Sequence, residues 1–127
     1  MFVEIDFESE EALYMQLRNQ IILGIANSLL REGDALPPVR QMAGDIGINM
    51  HTVNKAYALL REEGYVTIDR RKGAVISDGA CSREQTDKFC SQMRMLLAEA
   101  LCRNMQRDQI HEMVDCLLDD LVKNESG

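Results

Sequence analysis

Four side chains near the middle of this 127-residue chain could contact the edges of nucleic-acid bases, because they share one face of a predicted helix. They follow the i, i+3, i+4, i+7 spacing of a helix face: His51, Asn54, Lys55 and Ala58. Asparagine can pair with adenine, and lysine can reach guanine or a phosphate group. No carboxylate interrupts this face before Glu62, so the spacing indicates a surface suited to the major groove of DNA. Taken alone, the same residues also fit an ordinary solvated helix face.

This helix is predicted over about residues 50–63, and a second short helix precedes it. Asn49 is a suitable N-cap, and the buried face of the helix is predicted to hold Val53, Ala56, Tyr57 and Leu60. The preceding helix follows Pro37 and Pro38, ends at Gly47 and has an apolar face of Met42, Ala43 and Ile46. Two helices joined by a short turn that contains glycine are typical of a helix-turn-helix.

Two short strands with a basic turn between them are predicted next. Residues 65–68 and 74–76 are β-branched or aromatic in large part, as strands require. The turn between them carries Arg70, Arg71, Lys72 and Gly73. A helix-turn-helix followed by such a hairpin is a winged helix, whose wing (residues 69–74) can reach phosphates or a minor groove. A solvated loop is the alternative interpretation of the turn.

Helical patterns flank the winged helix on both sides. After a short arm (residues 1–8), Ser9 is predicted to cap a first helix that runs to about Leu30 and presents a broad apolar face to the core. Ala35 and Leu36 could add a brief third strand to the hairpin. Beyond a junction near Asp78, two amphipathic helices are predicted, one from Ser82 to about Asn104 and one that follows a break near residues 105–107.

The two C-terminal helices need a partner surface, because they have no domain of their own. We expect a second copy to supply it in a two-fold dimer, with a cap on the winged helix as the alternative. The side chains expected at this interface are Phe89, Met93, Leu97, Leu101, Ile110, Val114, Leu117 and Leu121. Met and Leu at helical spacing are more typical of a core than of a ligand pocket.

The charge of the chain is −7, and it is unevenly distributed. Residues 1–35 carry −5 and residues 78–127 carry −4, whereas residues 36–77, which hold the winged helix-turn-helix, carry +2. The positive segment is the one expected to bind phosphates, while the acidic remainder should orient the approach to DNA and make binding sharply salt-dependent.

Several classes of protein are not expected from this sequence. It lacks a signal peptide and a long apolar run, which predicts a cytoplasmic protein with no membrane partner. The four cysteines form no C-x-x-C pair, so they are expected to be reduced thiols, with no metal and no cofactor bound. No nucleophile lies at a spacing that pairs it with a base, and His51 and His111 fall on different predicted elements. We therefore expect no enzyme activity.

The order of these elements resembles the DNA-binding domain of the GntR family of bacterial transcription regulators. The resemblance rests on LPPVRQMA, on IGINMHTVNKAYALLREEGYV and on the basic hairpin, and it covers residues 9 to 77 in detail. The short length of the chain and its residues from Asn49 to Tyr57 are similar to those of the small YtrA-like branch. Met50 and His51 stand where that branch usually has proline and asparagine. These two differences affect which operator sequence is expected, and they do not affect the expected docking mode.

The resemblance implies a mainly α fold with a small β-hairpin wing. Residues 1–78 would form the winged helix-turn-helix, and residues 79–127 a C-terminal helical dimerisation segment. It implies a repressor that binds a palindromic operator in double-stranded DNA as a homodimer. Any small-molecule effector, whose identity is unknown, would bind at the dimer interface or between the C-terminal helices and the winged helix. The implied DNA contacts are Arg40, Asn49, Met50, His51, Thr52, Asn54, Lys55, Arg70, Arg71, Lys72 and Gly73. Amides at the start of the recognition helix would add phosphate affinity. The rival interpretation is a winged helix that binds proteins instead of DNA.

Overall fold

The computed structural model describes residues 3–122, which form five helices and one two-stranded hairpin. Residues 1 and 2 of the predicted arm and residues 123–127 of the predicted C-terminal segment lie outside the described part. The helices are α1 (Leu13–Ala26), α2 (Val39–Ile46), α3 (Met50–Glu62), α4 (Arg83–Cys102) and α5 (Arg107–Leu121), and the strands are β1 (Val66–Asp69) and β2 (Gly73–Ile76). The chain divides into two compact units, residues 3–79 and residues 80–122. The mainly helical fold with a hairpin wing is confirmed.

The predicted bounds of α1 were wrong at both ends. The Ser9 hydroxyl accepts a hydrogen bond from the Glu11 amide in a turn before the helix, and the N-cap position belongs to Ala12. At the other end the helix stops at Ala26, because Ser28 takes a positive φ of 66° and the chain turns away. Local hydrogen bonds of serine and asparagine compete with the helix at such positions, and periodicity alone does not reveal them.

The helix-turn-helix forms as predicted. Gly47 ends α2 with a φ of 75°, a left-handed conformation that glycine adopts without steric cost, and its amide donates to the Ala43 carbonyl. Asn49 then caps α3, its side chain accepting from the His51 amide at 2.7 Å. The predicted inner face of α3 is confirmed, since Val53, Ala56, Tyr57 and Leu60 are all buried.

The first unit has a closed apolar core between α1, α2, α3 and the hairpin. Its fully buried side chains are Leu17, Ile21, Met42, Val53, Leu60 and Val66. Gln16 is the buried polar side chain of the described residues, and it fixes the N-terminal arm by accepting from the Asp6 amide and donating to the Asp6 and Glu11 carbonyls. An ion pair from Arg18 to Glu63 at 2.8 Å ties α1 to the end of α3.

The hairpin pairs antiparallel, with Val66 opposite Ile76 and Asp69 opposite Gly73. The expected third strand is reduced to one bridge between Ala35 and Val75, supported by a hydrogen bond from the Leu36 amide to the Ala74 carbonyl. This bridge attaches the segment before α2 to the wing.

The second unit consists of α4 and α5 with a break between them. Ser82 and Gln85 form a reciprocal capping box at the start of α4, which confirms the predicted start. Asn104 has a positive φ of 65° in the break that was predicted near residues 105–107. No residue of α4 or α5 is buried, across two helices that the structure describes in full.

Candidate nucleic-acid interface

The outer face of α3 holds the side chains predicted to read DNA. His51, Asn54 and Lys55 are exposed, whereas Thr52 is half-buried. Met50 is 41% exposed at the start of the helix, although an apolar side chain gains nothing from water. The apolar inner face packs against the core, so these polar side chains are presented on a rigid element.

Amides at the start of α3 already have acceptors within the chain. The His51 amide donates to the Asn49 side chain, and the amides of Thr52 and Val53 donate to the Asn49 carbonyl at 3.0 and 3.2 Å. The expected contribution of these amides to phosphate affinity is therefore reduced. Side chains must supply most of the attraction on this face.

Arg40 lies in the first turn of α2, with its side chain exposed. A nearby hydrogen bond fixes the position of that turn, because the buried Tyr57 hydroxyl donates to the Pro37 carbonyl at 2.7 Å. Burial also raises the pKa of Tyr57 well above its ordinary value, so the hydroxyl keeps its proton and remains a donor. Tyr57 thus couples the start of α2, and with it Arg40, to α3.

The wing tip is a compact turn with three exposed cations, Arg70, Arg71 and Lys72. The Asp69 carboxylate closes the turn by accepting from the Arg71 and Lys72 amides at 2.7 and 3.0 Å. These bonds, that of Lys72 first, lower the pKa of Asp69. Gly73 has a φ of 83°, a left-handed conformation that glycine adopts without steric cost, so a glycine at this position allows the turn.

Lys55 does not extend freely from α3. Its ammonium lies 4.0 Å from the centroid of the Tyr14 ring, in the first turn of α1. An ammonium over an aromatic face is held by a cation–π attraction. No pattern in the sequence indicates this partner, because Tyr14 and Lys55 are brought together only by the packing of α1 on α3.

A groove of about 310 Å³ separates α3 from the wing. It brings together Asn54, Lys72 and Gly73, which the sequence had placed on separate elements, while Arg40 and His51 do not line it. Arg61 also lines this groove and was missed by the sequence interpretation. Its spacing could have identified it, because Arg61 is seven residues after Asn54 and so lies on the same helix face.

The residues expected at a dimer interface lie along α4 and α5. Ile110 and Val114 are half-buried, and the others are exposed, with Phe89 at 59%, Leu101 at 60% and Leu117 at 54%. The two helices make little contact with each other. Both helices therefore leave large apolar side chains exposed within the described unit.

Other chemistry is sparse in the described part of the chain. Cys81, Cys90, Cys102 and Cys116 are all exposed and unpaired as disulfides. Within residues 3–122 no group of three potential ligands is arranged to hold a metal ion. None of the helices described is long and apolar enough to cross a membrane.

Comparisons with known proteins agree with this geometry. Residues 10–76 match the model of the gntR family of bacterial regulatory proteins. The chain is 30% identical over 115 residues to the HTH-type transcriptional repressor YtrA of Bacillus subtilis (strain 168), and the match covers 88% of each chain. It is also similar to the structure of YtrA from Sulfolobus acidocaldarius, a GntR-family transcription factor, with 33% identity, a TM-score of 0.69, and coverage of 80% of this chain and 99% of that one.

A further structure shares the fold. A transcriptional antiterminator from Listeria monocytogenes EGD-e covers 94% of this chain and 91% of its own with a TM-score of 0.84. At 23% identity the likeness concerns the fold alone. It spans both the winged helix and the C-terminal helices, so this combination of parts occurs in another protein.

Proposed function

Because the chain belongs to the GntR family of bacterial regulatory proteins, as a YtrA-like member, we propose that it is a repressor that binds a palindromic operator as a homodimer. The family establishes the coarser function, that of a helix-turn-helix DNA-binding transcription regulator rather than an enzyme. The Bacillus subtilis relative is a transcriptional repressor, and it is similar to this chain over most of both sequences. The operator and the dimer are our extension.

The single observation that carries the proposal is the outer face of α3. It is exposed, free of carboxylates as far as Ala58 and held rigid by a buried inner face. We assign base reading to His51 and Asn54, with Met50 able to contact a thymine methyl. The proposed backbone contacts are Asn49, Thr52, Lys55, Arg70, Arg71, Lys72 and Gly73. Lys55 joins this group because its ammonium lies over Tyr14, at the flank of α3.

We assign DNA binding to residues 1–78 and self-association to residues 79–127. The division of the described chain after residue 79 supports this assignment. The exposed apolar side chains of α4 and α5 are better covered by a second copy than by water, since burying them is favourable by about 25 cal/mol per Å². Two copies related by a two-fold axis would place two recognition helices on half-sites about 10 base pairs apart.

A protein-binding winged helix is the second candidate, and the acidic surface outside residues 36–77 favours it. It differs from the first in what the wing and Arg40 contact. Charge reversal at these positions would abolish DNA affinity under the first proposal and leave it unchanged under the second.

Selection of bound duplexes from a random DNA pool, at a stated moderate salt concentration, tests the proposed function. We expect an inverted repeat with one fixed half-site spacing. Recovery of no motif, with binding lost on a modest addition of salt, would mean non-specific phosphate contact only and would favour the protein-binding candidate.

Arg40→Ala is expected to weaken binding to the selected operator by roughly 1–3 kcal/mol if the guanidinium pairs with guanine through two hydrogen bonds. The loss should be larger for the operator than for unrelated DNA, and titration followed by fluorescence anisotropy measures both. Arg31→Ala is the matched control, because it removes the same charge from an exposed loop outside the proposed contacts. An unchanged operator affinity would remove Arg40 from the site.

A further inference from the structure

The groove between α3 and the wing has walls that point to a ligand of negative charge. Asn54, Ala58 and Arg61 form one wall at i, i+4, i+7 spacing along α3, and Lys72 and Gly73 belong to the other. The rest of its lining is mainly apolar and consists of residues 36–39 at the start of α2, Tyr57 and the hairpin residues Val66, Ile68 and Ala74. No Asp or Glu lines this groove, although the chain as a whole carries −7.

The two cations of the groove are available to a ligand. Arg61 and Lys72 are exposed, and neither side chain forms an ion pair or hydrogen bond with another residue in the described range. Asp69 is close enough for the Lys72 charge to contribute to its lowered pKa, but its carboxylate is engaged mainly by the Lys72 and Arg71 amides. The groove thus combines two cations with a mainly apolar lining that can contact carbon atoms.

The position of the groove between α3 and the wing indicates which anionic ligand would bind there. A recognition helix occupies the major groove, and a wing reaches the neighbouring minor groove. One sugar-phosphate strand separates these two grooves of DNA, so it must cross the protein between α3 and the wing. Its phosphates would face Arg61 and Lys72, and the carbon atoms of its sugars would face the apolar lining of the groove.

We propose that the groove seats this DNA strand, with Arg61 and Lys72 contacting its phosphates from opposite sides. The inference rests on the proposed function and adds Arg61 to the contact set. It differs from the roles assigned to His51 and Asn54, because contacts to phosphate position the protein without reading sequence.

Arg61→Gln tests the assignment, with Arg31→Gln as the control for the loss of one charge. We expect Arg61→Gln to weaken binding of the full-length protein on the order of tenfold for the operator and for unrelated DNA alike. The slope of log K against log salt concentration should fall in magnitude by about 0.9, the value for one phosphate contact. Equal melting temperatures of the variants would show that folding is not the cause.

Neutral methylphosphonates placed one at a time along the operator locate the contact. Neutralising the phosphates between the major-groove and minor-groove contacts should weaken binding of the unaltered protein, and Arg61→Gln should be insensitive to that change and remain sensitive elsewhere. Lys72→Gln should lose sensitivity at the same or the adjacent phosphate. Arg61→Lys should recover part of the affinity, because it keeps the charge.

Two kinds of failure can be told apart. If Arg61→Gln matches Arg31→Gln in affinity, slope and phosphate sensitivity while Asn54→Ala still changes the selected motif, then the inference is wrong and the proposed function stands. If the unaltered protein selects no motif, the proposed function itself fails. Binding of inorganic phosphate to the groove with no effect of Arg61→Gln on DNA affinity would identify a site for a small anion instead, which also overturns the inference.

Discussion

Residues 3–79 bury a set of apolar side chains in a core within the unit, whereas none of the residues of α4 and α5 in the second unit is buried. In the first unit, Leu17, Met42 and Leu60 meet at a common core from three different helices. In the second, α4 and α5 carry side chains of the same size with no residue buried along either described helix. Similar apolar side chains therefore form a closed core in the first unit and stay exposed on the second unit, where we propose that two copies associate.

The same contrast holds for the polar side chains. The side chains of the first unit that we propose contact DNA stand on elements fixed by buried contacts, as His51 does on α3 and Arg40 does beside the Tyr57 hydrogen bond. Apart from the capping boxes at Ser82 and Gln106, the second unit offers few such fixed groups in its described part. This contrast supports our proposal that the first unit reads DNA and that the second unit joins two copies.

Leu60→Ala tests the contrast between the two units through the free energy of unfolding, and it is the substitution with the largest expected effect. Leu60 is fully buried, so its truncation should lower the free energy of unfolding by about 2–5 kcal/mol. Leu118→Ala is the control in α5, where the side chain is 54% exposed and truncation should leave the first unit unaffected. Chemical denaturation followed by circular dichroism measures both. Equal losses would mean that the two units share one core.

Leu117→Asp tests the proposed role of the second unit in self-association. A charge placed in a buried apolar interface is costly, so the dissociation constant of the dimer should rise on the order of 100-fold. Sedimentation equilibrium measures this, and the melting of the first unit should not change. A variant that still sediments as a dimer at the same concentrations would place the interface elsewhere.

Tyr14→Leu gives the smallest expected effect. Loss of the ring removes the cation–π contact of Lys55, worth about 0.5–1 kcal/mol at an exposed site, and weakens DNA binding by a few-fold at most. Tyr14→Phe keeps the ring and should bind as the unaltered protein does. In a Lys55→Met background Tyr14→Leu should have no further effect, and an undiminished effect there would show that Tyr14 acts without Lys55.

The sequence predicted the elements of the winged helix well, because each has a local signal. Asn49 as a cap, Gly47 as a helix end and the apolar face of α3 all depend on neighbours within a few residues, and all three are confirmed. The ends of α1 were predicted wrongly because the local patterns there are misleading. Ser9 has the side chain of an N-cap, but it makes its hydrogen bond within a turn that precedes the helix. The apolar spacing continues past Ala26, although the positive φ of Ser28 shows that the helix has already ended.

The parts of the site that the sequence could not give depend on contacts between distant residues. Lys55 lies over Tyr14 only because α1 packs on α3. Arg61 and Lys72 line the same groove only because the hairpin folds back beside α3. Gln16 was not singled out either, although it is buried and holds the arm through three hydrogen bonds. Such pairings leave no periodic trace in the sequence.

The decisive measurement compares the affinity of the full chain for a palindromic duplex with its affinity for a duplex of equal length that has one half-site. If the first unit reads DNA and the second joins two copies, the palindrome should bind at least about 100-fold more tightly, with two chains per duplex. Leu117→Asp should bind both duplexes with the same low affinity. Equal affinity of the unaltered chain for the two duplexes, or one chain per palindrome, would contradict the account.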